Sequence, residues 1–102
     1  MAWRAAAKLD ELGEEEALGV VIEGQPLALF KIGGRVYATH NVCTHEHAIL
    51  SDGYVDGDCI ECPLHQARFH IPTGEVRAAP ATEPIKTYAT KVVNGQIFVD
   101  IA

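Results

Sequence analysis

Short apolar stretches alternate with turn-forming pairs along the whole chain. The stretches are rich in β-branched and aromatic residues, which predicts strands at roughly Trp3–Ala7, Ala17–Glu23, Leu27–Ile32, Arg35–His40, Cys59–Cys62, Ala67–His70, Ile85–Val93 and Gln96–Ile101. Between them lie Gly24-Gln25-Pro26, Gly33-Gly34, Asp52-Gly53, Asp56-Gly57 and Asn94-Gly95. Gly33-Gly34, Asp56-Gly57 and Asn94-Gly95 predict tight hairpins, because type I′ turns need residues that tolerate positive φ. The clearest is "KTYATKVVNGQIFVDI", where Asn-Gly joins two apolar runs. Only "DELGEEEAL" has helical character; it is short and holds Gly13, so a loop or single turn is expected. Strands at this spacing predict an all-β sandwich or small barrel, with residues 1–102 as a single domain.

Composition supports that picture. Hydrophobic residues make up 48% of the 102, enough for an ordinary core without a disulfide framework, and three cysteines are too few to staple one. Lys8, Asp10 and Glu11 interrupt the N-terminal stretch before it reaches the apolar length of a signal peptide. No run approaches the ~18 apolar residues of a membrane span. A soluble cytoplasmic protein with reduced thiols is expected. Fourteen acidic against eight basic residues give a net charge of −6, which argues against nucleic acid and anionic membranes as partners. The same charge permits steering toward a basic patch on a protein.

Two segments depart from the strand-and-turn rhythm. The longest stretch without a confident strand, Asn41 to about Asp58, opens on Cys43-Thr44-His45; a second loop carries Cys62-Pro63-Leu64-His65. Loops of that length in a small domain are usually functional. Together they offer Cys43, His45, Cys62 and His65 as a four-ligand metal site. Zinc accepts two thiolates and two imidazoles, although its usual spacings pair Cys with Cys and His with His. A [2Fe–2S] cluster accounts for the mixed pattern: with both cysteines on one iron and both histidines on the other, each loop gives one ligand to each iron. Two neutral imidazoles in place of two thiolates also make the centre less negative, which eases reduction relative to an all-cysteine cluster.

C-T-H followed by C-P-L-H closely resembles the Rieske [2Fe–2S] motif. With the strand rhythm, the chain length and the stretch "HQARFHIPTGEV", the resemblance covers nearly the whole chain and points to the small Rieske-type ferredoxins of bacterial aromatic-ring dioxygenase systems. It implies three stacked antiparallel sheets, with a two-loop cluster-binding tip and histidines facing solvent. It further implies one [2Fe–2S] cluster per chain, held by Cys43, His45, Cys62 and His65, and no catalytic residues. The implied partners are a flavin-containing NAD(P)H-dependent ferredoxin reductase and a terminal Rieske oxygenase. Respiratory Rieske proteins instead read like C-T-H-L-G-C and C-P-C-H-G-S-x-Y, with a disulfide joining the loops. Ala48 and Leu64 stand at those disulfide positions, and Ala67 and Phe69 replace the Ser and Tyr hydroxyls near the sulfurs. Fewer donors around the cluster predict a potential toward the low end of the Rieske range, roughly −150 mV. A subunit of another redox enzyme, such as a nitrite reductase, would carry the same motif; a structural zinc module is the reading from another class.

The other candidates read more plainly. His40, His47 and His70 leave little room for a catalytic iron, and "KIGGRV" is a hairpin rather than a nucleotide-binding loop. Cys59 should face away from Cys62 by strand periodicity and reads as a small buried hydrophobe. His47 reads as an exposed loop residue and His70 as a surface or partly buried one. Pro63 stiffens the second loop. Pro80 resembles the proline that shields the third side of the cluster in this family. Ala48, Ile49 and Leu64, rimmed by Glu46 and His47, read as the apolar centre of a transient docking tip.

Overall fold

The run Leu27-Ala28-Leu29-Phe30 is apolar without interruption, and in the computed structural model of the chain all four side chains are fully buried. Successive strand residues face opposite ways, so a strand buried throughout must lie in a middle layer. The structure describes residues 1–44, 48–64 and 66–102. Among these, the strands are β1 (Trp3–Lys8), β2 (Ala17–Ile22), β3 (Gln25–Ile32), β4 (Arg35–His40), β5 (Tyr54–Asp56), β6 (Cys59–Glu61), β7 (Arg68–His70), β8 (Val76–Ala78), β9 (Thr87–Tyr88), β10 (Thr90–Val93) and β11 (Gln96–Asp100). They form three antiparallel sheets, ordered β1-β11-β10, β2-β3-β4-β9 and β5-β6-β7-β8.

Strand β3 divides the core. Leu27 and Leu29 pack with Ile97 and Val99 of the first sheet, whereas Ala28 and Phe30 pack with Ile60, Phe69 and Ile71 on the other side. The all-β, three-sheet architecture expected from the resemblance is the observed one.

The hairpins at Gly33-Gly34 and Asn94-Gly95 form as expected, with both central residues at positive φ. The turn from Leu9 to Glu11 is a single 3-10 turn. The carboxylate of Glu14 accepts hydrogen bonds from the amides of both Gly33 and Gly34, tying the acidic N-terminal segment to this hairpin.

Several boundaries differ from the sequence reading. The first hairpin turns at Glu23-Gly24, with Gln25 and Pro26 inside β3. The β5–β6 turn is Gly57-Asp58 rather than Asp56-Gly57, with only Gly57 at positive φ, as a type II′ turn requires. Strands β5 and β8, three residues each, were not among the expected strands. The expected strand Ile85–Val93 is two strands: Tyr88 pairs with Ala38 in the middle sheet, while Thr90 pairs with Val99 in the first. One continuous segment crosses a corner between two sheets, and periodicity alone carries no sign of the crossing.

Candidate metal centre

Cys43 and Cys62 stand at the heads of two loops closed in the same way. The Cys43 amide donates to the Ala48 carbonyl (2.9 Å) and the Cys62 amide to the Ala67 carbonyl (2.7 Å). Each bond spans five positions in sequence. Both cysteines are buried, 4% and 1% exposed, and both belong to the packed group that contains Phe30, Leu50, Ile60 and Phe69. The loops therefore present their sulfur-bearing residues to one side of the β3 layer.

The supports behind the loops differ. Beneath the first loop, Val42 and Ile49 form an isolated bridge, and the Leu50 amide donates to the Asn41 carbonyl (2.8 Å). The second loop caps the β6–β7 hairpin, where Glu61 pairs with Arg68 and Ile60 with Phe69 inside a four-stranded sheet. A third segment closes on them. The Thr44 hydroxyl donates to the Glu83 carbonyl (2.9 Å), and Ala81 is buried in the same group as Cys43 and Cys62. Pro80 itself is exposed, so this segment reaches the buried group through Ala81, one residue on.

Away from the sulfurs, the outer face of the β5–β8 sheet carries a polar chain. His70 Nε2 lies 2.8 Å from Asp58 Oδ2, and His70 Nδ1 lies 2.7 Å from Thr73 Oγ1. Hydrogen bonding to His70 holds the Asp58 carboxyl below the usual carboxylate range. Cys59 faces away from Ile60, as periodicity requires, but it is only half-buried, with its thiol toward Asp58 (3.6 Å). That corrects its reading as a buried hydrophobe: burial pushes its thiol upward and the neighbouring carboxylate adds to the effect, leaving it a poor nucleophile. His70 is partly buried, as expected. Ala48 is buried rather than part of an exposed apolar centre, whereas Ile49 (38%) and Leu64 (46%) are exposed.

Of the four ligand candidates, Cys43 and Cys62 belong to the same buried group. His45 and His65 lie outside the described residues, as do Glu46 and His47. Among the described residues, no three metal-binding side chains converge. The donor set fits an iron–sulfur cluster, since two buried cysteines on separate, equally closed loops satisfy the thiolate side of its needs.

The sequence model of the Rieske [2Fe–2S] domain matches residues 2–89. The chain belongs to the Rieske [2Fe–2S] family. The ferredoxin component of the naphthalene 1,2-dioxygenase system of Pseudomonas putida is 47% identical over 100 residues, covering 98% of this chain and 96% of that protein. The ferredoxin of Sphingomonas yanoikuyae B1 superimposes with a TM-score of 0.93 at 37% identity, covering 97% of this chain and 98% of its own. A complex of reduced oxygenase and oxidised ferredoxin in carbazole 1,9a-dioxygenase gives a TM-score of 0.90 at 35% identity, covering 95% of this chain and 91% of the matched one.

This Rieske chain carries one [2Fe–2S] cluster and works as an electron-transfer component rather than a catalytic subunit. No helix is long and apolar enough to cross a membrane. Sequence reasoning offered the two cysteine loops but missed Asn41, Ser51, Thr44 and Ala81, which support them. Only Thr44 had a signal, lying inside the C-T-H triplet; the others act through contacts far apart in sequence.

Proposed function

We propose that Cys43 and Cys62 bind one iron of the cluster and His45 and His65 the other, within a single domain spanning residues 1–102. On this reading the chain takes single electrons from a flavin-containing NAD(P)H-dependent reductase. It passes them to the terminal Rieske oxygenase of an aromatic-ring-hydroxylating system, in the cytoplasm. The observation that carries the assignment is the matched pair of loops, each presenting a buried cysteine from an equivalent closed frame. When bound, the cluster supplies reversible one-electron transfer. The chain's residues hold the sulfur side dry and leave Ile49 and Leu64 exposed, one on each loop, as small apolar anchors for a short-lived contact. Ala67 and Phe69 bring no hydroxyl to the second loop, which supports a potential at the low end of the Rieske range. The likeness to ferredoxins of naphthalene and carbazole dioxygenase systems supports the choice of partner.

Electron paramagnetic resonance of the dithionite-reduced protein tests the ligand set. A rhombic signal with an average g below that of all-cysteine [2Fe–2S] ferredoxins is expected. Cys43→Ser and Cys62→Ser should each abolish the cluster's visible absorption. An all-cysteine signature, or an undiminished cluster in either serine variant, would overturn the assignment. Reduction of a dioxygenase terminal component by NADH, a flavin reductase and this protein tests the partners; failure there with an intact Rieske signal would leave the ligands standing and the pathway wrong.

A further inference from the structure

We infer that Asn41 and Ser51 form a clamp that positions the first cluster loop and sets how long the cluster is retained. Asn41 is 5% exposed, one of only two buried polar side chains among the described residues. A buried amide is costly unless each of its groups is bonded. Here both side-chain atoms are engaged by one residue: Oδ1 accepts from the Ser51 amide (2.8 Å) and Nδ2 donates to Ser51 Oγ (2.9 Å). The orientation follows from chemistry, because a backbone N–H can only donate and must meet the oxygen. The Asn41 amide also donates to the Pro26 carbonyl in β3 (2.9 Å), while its carbonyl accepts from Leu50 (2.8 Å). Asn41 thus ties both ends of the first loop to the central strand.

The first loop needs such a device because its stem holds only an isolated bridge, whereas the second loop is continuous with a sheet. The neighbouring strand leaves room for it. A Cβ at Gly19 of β2 would stand 2.8 Å from Ser51 Oγ and 3.0 Å from Asn41 Nδ2. The φ of Gly19 is not in the left-handed region, so its lack of a side chain serves the clamp and not the backbone.

Opening this clamp frees both ends of a loop that carries one thiolate and one imidazole of the proposed ligand set, on which the inference rests. The test is the rate at which the oxidised, loaded protein loses its visible absorption to excess chelator. Asn41→Ala should quicken loss by about tenfold, the order expected for removing a side-chain bond and orphaning its partner. Ser51→Ala and Gly19→Ala, milder changes that keep the fold, should quicken it by smaller factors. Asn41→Asp should restore slow release, because both carboxylate oxygens can accept, one from the Ser51 amide and one from its hydroxyl. The control is Ile97→Val or Ile97→Ala in the far core, whichever matches the clamp variants in urea midpoint. Release unaffected in the three clamp variants, equally fast in the matched control, or equally fast in Asn41→Asp and Asn41→Ala would each overturn the inference. Wild-type protein without a cluster would overturn the ligand assignment and the clamp together; loaded wild type with clamp-independent release would overturn the clamp alone.

Discussion

The two cysteine loops of the proposed cluster site are alike at their heads and unlike at their bases. Each closes with a cysteine amide bonded to the carbonyl five residues on. The second grows out of the β5–β8 sheet, with Phe69 and Ile60 buried directly behind it. The first rests on one isolated bridge, the Asn41–Ser51 side-chain pair and the bond from Thr44 to Glu83. Both loops rest on the same buried core, through Ala48 and Leu50 in the first and Ile60 and Phe69 in the second; what differs is the frame, a paired sheet in one case and discrete hydrogen bonds in the other. The comparison predicts different failures: large and global when the core behind the second loop is cut, small and local when the hydrogen bonds of the first are.

Phe69→Ala should have the largest effect on stability. Phe69 is fully buried between the second-loop hairpin and β3, and truncating such a ring typically costs about 3–5 kcal/mol. Urea unfolding of the loaded protein should show this loss as a cooperative shift of the whole transition. A loss below about 1 kcal/mol would mean that the second loop does not draw its rigidity from the core beneath it.

How far the sequence disclosed this arrangement depended on the range of the interactions. The apolar run Leu27–Phe30 and the Asn94-Gly95 turn are local signals, and both elements formed where expected. The four ligand candidates were legible because metal spacing is a local pattern as well. Strands β5 and β8 were not, since their place in the sheet comes from the neighbours that the fold supplies. The sheet change at Ala89 left no mark, since both halves of Ile85–Val93 mix apolar with polar residues alike. The Thr44 bond spans 39 positions and the Asn41–Ser51 pair ten, so neither residue announces its partner. Cys59 was placed on the right face, but its exposure depends on how much of that face the fold covers.

Thr44→Val probes the first loop at moderate cost. Valine preserves the shape of the side chain and deletes the donor to Glu83. Because the bond lies at the surface, water can replace it, and the expected loss is about 0.5–1 kcal/mol in urea unfolding. Limited proteolysis should show faster cleavage in the segment around Glu83, with the β6–β7 hairpin unaffected. Equal acceleration in both regions would make the two loops one cooperative unit and remove the distinction drawn between them.

The smallest effect lies at the far end of the second loop's sheet, where His70 joins the β5–β6 turn to the segment before β8 through Asp58 and Thr73. Asp58 accepts, so Nε2 carries a proton in either charge state of the ring. Nδ1 can donate to Thr73 when the ring is charged and accept from the hydroxyl when it is neutral, so the link survives both forms. The carboxylate has a pH dependence of its own. Its folded-state pKa is lowered, chiefly by the bond to His70, so its contribution is complete above the unfolded value and disappears as pH falls through the folded one. Comparing wild type with Asp58→Asn, the difference in unfolding midpoint at about pH 5 should be small and should close as the pH falls below about 4. A difference that stayed the same down to about pH 2 would show that the carboxylate's charge contributes nothing to the link. The second loop's sheet thus loses a contribution in acid at its base, while the neutral amide–hydroxyl clamp under the first loop stays indifferent to pH.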